Sequence, residues 1–87
     1  MLSIGHENHV KSDAIVAIIK PDNAPAKKLR YRADEERMLI NATSGRKTRS
    51  IIVTNSNHIV LSAIQPRVLV SRMKDLRQAK RIRTKLY

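Results

Sequence analysis

Three cations within four residues, Arg46, Lys47 and Arg49 in the segment Ser44-Gly45-Arg46-Lys47-Thr48-Arg49, are the side chains of this sequence best equipped for binding chemistry. Arginine offers a planar fork that matches phosphate oxygens, lysine a mobile point charge, and Ser44, Thr48 and turn amides add further donors. Like charges this close repel one another, and an anionic partner relieves the repulsion. The plain alternative is a solvated turn, because charge runs usually face water. A second cluster, His6-Glu7-Asn8-His9, sets two imidazoles and a carboxylate within four residues. Its spacing is not the His-Glu-x-x-His helical pattern, Gly5 points to a turn, and no second cluster supplies further ligands, so it reads as a polar hairpin turn. His58 leads an expected strand with no carboxylate neighbour. No Ser-His-Asp arrangement or Gly-x-x-x-x-Gly-Lys cradle can be argued, and Asp34-Glu35-Glu36 lies among Arg30, Arg32 and Arg37, where pairing along a helix is the ordinary explanation. The expectation is a binding protein, not an enzyme, with no cofactor, no metal and no small-molecule substrate.

The balance of the whole chain agrees with a polyanion partner. Eighteen Lys plus Arg against seven Asp plus Glu give a net charge of +11 on 87 residues. The charge is unevenly placed. Residues 1–26 carry −1 and residues 27–37 carry +2, whereas residues 46–49 carry +3 and residues 71–87 carry +6. Cysteine is absent, which removes disulfides and thiolate chemistry and fits a reducing compartment. The N-terminal Met-Leu-Ser-Ile-Gly-His-Glu lacks a basic start followed by a long apolar run, and no membrane-length apolar stretch occurs, so the expected location is cytoplasmic, at the nucleoid. The cationic C-terminal helix has no Phe or Trp to sit at a headgroup boundary, which argues against a membrane partner.

These residues need a scaffold, and 87 residues suffice for one domain spanning the chain, 1–87, with a basic C-terminal helix or tail at about 67–87. A domain so small, with a core limited to Ile, Val, Leu, Met and Ala, makes oligomerisation a reasonable expectation. Leu2 to Ile4 and Val10 suit a hairpin around Gly5. Ala14-Ile-Val-Ala-Ile-Ile19 reads as a buried strand stopped by Pro21. Asp22 or Asn23 can cap a helix running to about Arg37, with Pro25 in its first turn and Ala26, Leu29 and Ala33 as its apolar stripe. Residues 38–43, 50–54 and 58–64 read as strands of an antiparallel meander, which would place the basic segment 44–49 at a turn between adjacent strands. Because Ile51 to Val53 do not alternate, both sheet faces should be covered. Pro66 opens a final helix with Leu69, Met73, Leu76, Ala79 or Lys80, Ile82 and Leu86 at near-helical spacing.

Asn41-Ala42-Thr43-Ser44-Gly45-Arg46-Lys47-Thr48-Arg49, continued by Asn57-His58-Ile59-Val60-Leu61-Ser62-Ala63-Ile64-Gln65-Pro66, resembles the RemA family of bacterial extracellular-matrix regulators. The likeness extends upstream through Ile18-Ile19-Lys20-Pro21, Ala24-Pro25 and Lys27-Lys28 to Ile4-Gly5 and Asn8, covering roughly residues 4–73. The resemblance implies a DNA-binding activator of biofilm-matrix genes, a subunit similar to the LytTR type of DNA-binding domain, and assembly into a homo-oligomeric ring. It implies DNA contacts at Arg46 and Lys47, and it makes Pro25 a structurally sensitive position. Four residues depart from the family pattern. Lys47 stands for a second arginine, Ala14 for a DNA-facing arginine, Glu7 for a glycine of the hairpin turn and Arg37 for a glycine at the helix end. The basic tail after Met73 lies outside the pattern and is a candidate replacement for the contact missing at Ala14.

The sequence therefore leads to an α+β domain with a small antiparallel sheet, one inserted helix and a C-terminal helix, and the resemblance adds assembly into a ring of identical subunits. Expected contacts to double-stranded DNA are Arg46, Lys47, Arg49, Lys27 and Lys28, with Arg77, Lys80 and Arg81 as additional ones. Two other readings stay open: an RNA-binding or ribosome-associated protein, and a structural ring whose basic turn pairs with a neighbour's acidic groups. The scarcity of aromatic residues argues against a base-stacking platform but not against structured RNA.

Overall fold

The computed structural model describes the backbone of residues 1–85 and the side chains of residues 1–76. A hairpin of β1 (Leu2–Gly5) and β2 (Asn8–Val10) comes first, and a 3₁₀ turn at Ser12–Ala14 leads into β3 (Ile15–Ile19). Then follow α1 (Ala24–Glu35), β4 (Leu39–Asn41), β5 (Ser50–Thr54), β6 (Ile59–Ser62) and α2 (Pro66–Lys85). The fold is α+β. The strands after the hairpin form one four-stranded sheet in the order β3-β5-β6-β4.

That order corrects the expected antiparallel meander. β5 runs antiparallel to β3 and to β6, but β4 runs parallel to β6, pairing Leu39 with Ile59 and Asn41 with Leu61, so the sheet is mixed. Segment 42–49 consequently does not turn between neighbours; it passes over the end of β6 to carry the chain from one flank of that strand to the other. Burial explains the choice. Every residue of β6 is buried, which suits a strand paired on both sides, whereas Ile40 and Asn41 of β4 are exposed, as an edge tolerates.

Both faces of the sheet are covered, as the unbroken apolar run of β5 requires. On one face Ile52 and Val60 pack with Leu2 and Ile4 of the hairpin and Leu69 of α2, with Met73 and Leu76 alongside. On the other, Ile51, Ile59 and Leu61 pack against Ala26 and Ala33 of α1. The hairpin is fastened by hydrogen bonds from Ser62 Oγ to the Ile4 carbonyl (2.8 Å) and from the Arg72 guanidinium to the Ser3 carbonyl (3.0 Å). Gly5 permits this approach: its φ is +100°, and a Cβ there would lie 3.1 Å from Ile64 Cδ1.

Asn23 caps α1, its Oδ1 accepting from the Ala26 amide at 2.9 Å, with Pro25 within the first turn. The helix ends at Glu35, two residues short of the expected Arg37. The Met38 amide donates to the Ala33 carbonyl (2.8 Å) and the Arg37 amide to the Asp34 carbonyl (3.2 Å), with Arg37 left-handed at φ 58°. This is a Schellman closure, and Met38 packs against the core cluster that contains Ala33. Leu29 departs from the expected buried stripe. It is 37% exposed, and only the two alanines allow α1 to lie close on the sheet.

Candidate nucleic-acid interface

Strand register decides which residues meet. Ile19 at the end of β3 pairs with Ile51 at the start of β5, Ser50 pairs with Ser62 at the end of β6, and Asn41 at the end of β4 pairs with Leu61. Residues 20–22, 42–49 and 63–67 therefore emerge at the same end of the sheet. That end carries Lys20, Arg46, Lys47, Arg49 and Arg67, all exposed, against one carboxylate, Asp22.

The basic segment is held at its base and open at its tip. The Ala42 amide donates to the Leu61 carbonyl (2.9 Å) and the Arg49 amide to the Ser62 carbonyl (2.8 Å), so the segment brackets the end of β6 from both sides. Asn41 Oδ1 accepts from the Thr43 amide (3.0 Å) and hydroxyl (2.6 Å), and Ser50 Oγ donates to the Ile64 carbonyl. Between these anchors, the Arg46 amide closes a turn on the Thr43 carbonyl (3.1 Å) with Ser44 at φ 52° and Gly45 at φ 80°. Two successive left-handed residues define a type I′ turn, and no atom lies within 4 Å of where a Gly45 Cβ would stand. The tip thus faces open space on a fixed backbone, with Arg46 and Lys47 directly after it. An anchored base under exposed cationic tips suits contact with an extended anion.

Lys47 and Arg49 line an open groove of about 480 Å³ together with Lys20, Asp22, Gln65 and Arg67. Lys20 stands in the sequence only within the resemblance segment, with no role of its own, and position 67 only opens the basic C-terminal stretch. Nothing in sequence spacing joins positions 20, 47 and 67; pairing of three strands does. Lys27 and Lys28 occupy a different surface. They line a second open groove, of about 510 Å³, on the outer face of α1 with Tyr31, Arg32 and Glu35. Arg77, Lys80 and Arg81 lie outside the residues whose side chains the structure describes. Ala14, where the resemblance expects an arginine, precedes β3 and so sits at the end of that strand away from the basic segment.

His6 and Glu7 form the two-residue turn of the hairpin, with φ values of 51° and 64°. Among the described residues no group of three or more metal-type side chains converges. At the sheet end opposite the basic segment, Ser56 Oγ and His58 Nδ1 lie 2.7 Å apart and Thr54 Oγ1 lies 3.0 Å from Ser56 Oγ, a network that closes the β5–β6 turn.

The pattern of the RemA-like family, described as extracellular matrix regulatory protein A-like, matches residues 1–73. The chain belongs to this family. Relatives include a protein of Pseudothermotoga lettingae, 49% identical over 86% of this chain and 82% of its own length. Another, from Fervidobacterium nodosum, is 51% identical over 83% of this chain and 77% of its own. A third, from Kosmotoga olearia, is 42% identical over 93% of each. All three are provisionally named as regulatory proteins. The RemA-like match stops at Met73, so the two cationic regions divide: the basic segment 46–49 lies inside the family pattern and most of the basic tail outside it. Among the described residues no helix is long and apolar enough to cross a membrane.

Proposed function

We propose that this RemA-like protein is a DNA-binding transcriptional regulator that holds duplex DNA by its backbone, with Arg46, Lys47 and Arg49 as the principal phosphate contacts. The observation that carries this reading is the gathering of five cations and one carboxylate at one end of the sheet, around a turn anchored at both sides of β6. Phosphate contacts of this kind position a protein on DNA, while sequence is read through base edges or deformability. Lys27 and Lys28, on a separate face, would meet a different stretch of the duplex. The family description supports matrix genes as the regulated class. A nucleoid location follows from DNA binding.

Assembly into a homo-oligomeric ring belongs to the same reading, and the two edges of the sheet support it. Beside β3, Val16 is 67% exposed and lines an apolar groove of about 240 Å³ with Val70 and Met73 of α2. At the opposite edge β4 exposes Ile40, and α1, which packs against β4, exposes Leu29 and Tyr31. Two unlike apolar surfaces on opposite edges suit a head-to-tail contact, which closes into a ring when the rotation per subunit divides a full turn. A ring also turns weak contacts into strong binding, because every contact after the first is intramolecular.

The deciding experiment pairs Arg46→Ala with Lys47→Ala and measures duplex binding together with particle mass. Loss of DNA binding with the assembly intact is expected. Loss of the assembly instead would make the two residues structural, and preference for structured RNA over duplex DNA in competition would move the protein to the RNA-binding class.

A further inference from the structure

We propose that the groove between the end of β3, the basic segment and the start of α2 is a second phosphate seat, with Lys20 and Arg67 as its own cations. It rests on the DNA reading and deepens it: the occupant is a backbone phosphodiester of the same duplex that the turn at Arg46 holds. The groove brings four cations from three separate segments, Lys20, Lys47, Arg49 and Arg67, against a single carboxylate, Asp22.

Two features make this arrangement unfavourable without an anion. All four cations share one open cavity of about 480 Å³, where each raises the potential at the others. Arg67 is moreover the second residue of α2, whose first turn contains no acidic side chain. The positive end of a helix dipole disfavours a cation there and favours an anion. The amides of Val68 and Leu69 both donate to the Gln65 carbonyl, which fixes the first turn of α2 beside the cavity. Pro21 and Pro66 restrict the backbone next to Lys20 and Arg67, so the two cations start from constrained positions. A phosphate entering here meets guanidinium forks from Arg49 and Arg67 and ammonium groups from Lys20 and Lys47. Arg46 lies outside this lining, so the turn and the groove present two phosphate contacts per subunit rather than one.

The test compares the full-length Lys20→Gln plus Arg67→Gln variant with a charge-matched control, Lys11→Gln plus Arg30→Gln. Lys11 lies before β3, away from the basic end, and Arg30 is exposed on α1. With mixed-sequence duplex DNA, the slope of log K against log salt should be shallower by about 0.9 for each phosphate the Lys20/Arg67 variant releases, and unchanged in the control. Asp22→Asn should tighten binding about two- to fivefold, as removal of a surface carboxylate beside a phosphate implies. Inorganic phosphate, against chloride at equal ionic strength, should raise the melting temperature of the wild type and the control but not of the Lys20/Arg67 variant. An unchanged slope in the Lys20/Arg67 variant, or an equal loss in the control, overturns the seat while leaving the DNA reading in place. Phosphate stabilisation that depends on Lys20 and Arg67 in a protein that binds no duplex would keep the seat as an anion site and sink the DNA reading. If the wild type responds to neither probe, both fall.

Discussion

Arg37 and Glu7 hold backbone conformations in which a side chain is a burden. Both have left-handed φ, 58° and 64°, and both stand where the family resemblance expects glycine. A non-glycine residue in this region costs about 1–2 kcal/mol. Arg37→Gly should therefore stabilise the fold by roughly 1 kcal/mol, seen as a higher urea midpoint at fixed protein concentration. No change, or a loss, would show that the Arg37 side chain repays the strain. Asn23 works the other way: its Oδ1 satisfies the Ala26 amide, so Asn23→Ala should cost about 1 kcal/mol. Ser62 is wholly buried, donates to the Ile4 carbonyl and accepts from the Ile64 amide at 3.1 Å. Ser62→Ala leaves both groups short of a partner and should cost roughly 1–3 kcal/mol.

Elements differ in how much of the site each one supports. The central strands carry the core, with Ile51, Ile52 and Leu61 fully buried, and Leu61→Ala should destabilise by about 2–5 kcal/mol. Because β6 also accepts the hydrogen bonds that anchor Ala42 and Arg49, damage to it should disorder the basic segment as well. The turn tip is more tolerant. Gly45→Ala meets no neighbouring atom and incurs only the left-handed strain, about 1 kcal/mol, so it should weaken the fold slightly and leave duplex affinity within about twofold. A larger loss of affinity would mean that the phosphate approaches the turn backbone closely enough to be blocked by a methyl group. Arg46 and Lys47 then act less as isolated charges than as charges displayed by a bracketed loop.

At the scale of the molecule, charge and apolar surface are spatially separate: cations gather at one sheet end, and unlike apolar surfaces lie along the two sheet edges. Val16→Glu places a charge on the exposed β3 edge without touching the buried core, so it should dissociate the assembly while circular dichroism stays unchanged. Measured duplex affinity should then fall steeply, since contacts made by one subunit lose the help of the others. An intact assembly would exclude this edge from the interface. The basic tail gives a separate prediction. Deleting residues 77–87 removes five cations, and it should weaken DNA binding and flatten its salt dependence if the tail replaces the contact absent at Ala14.

Residue types and their periodicity determined much by themselves. Asn23 and Pro25 mark the start of α1, Pro66 the start of α2, and the unalternating run at Ile51 announces a sheet covered on both faces. These are local properties, fixed by side-chain chemistry and by neighbours a few positions away. Resemblance added the family and the expectation that Arg46 and Lys47 contact DNA. Strand order was not legible, because short apolar runs at residues 39, 51 and 59 say that strands exist but not which one is central. Only tertiary packing decided that β6 joins β5 in the interior and β4 takes the edge, since the fully buried strand gains most from partners on both sides. That choice converts segment 42–49 from a hairpin turn into a bridge over the end of β6. It also brings Lys20 and Arg67, 47 positions apart in the chain, to the same groove as Lys47 and Arg49.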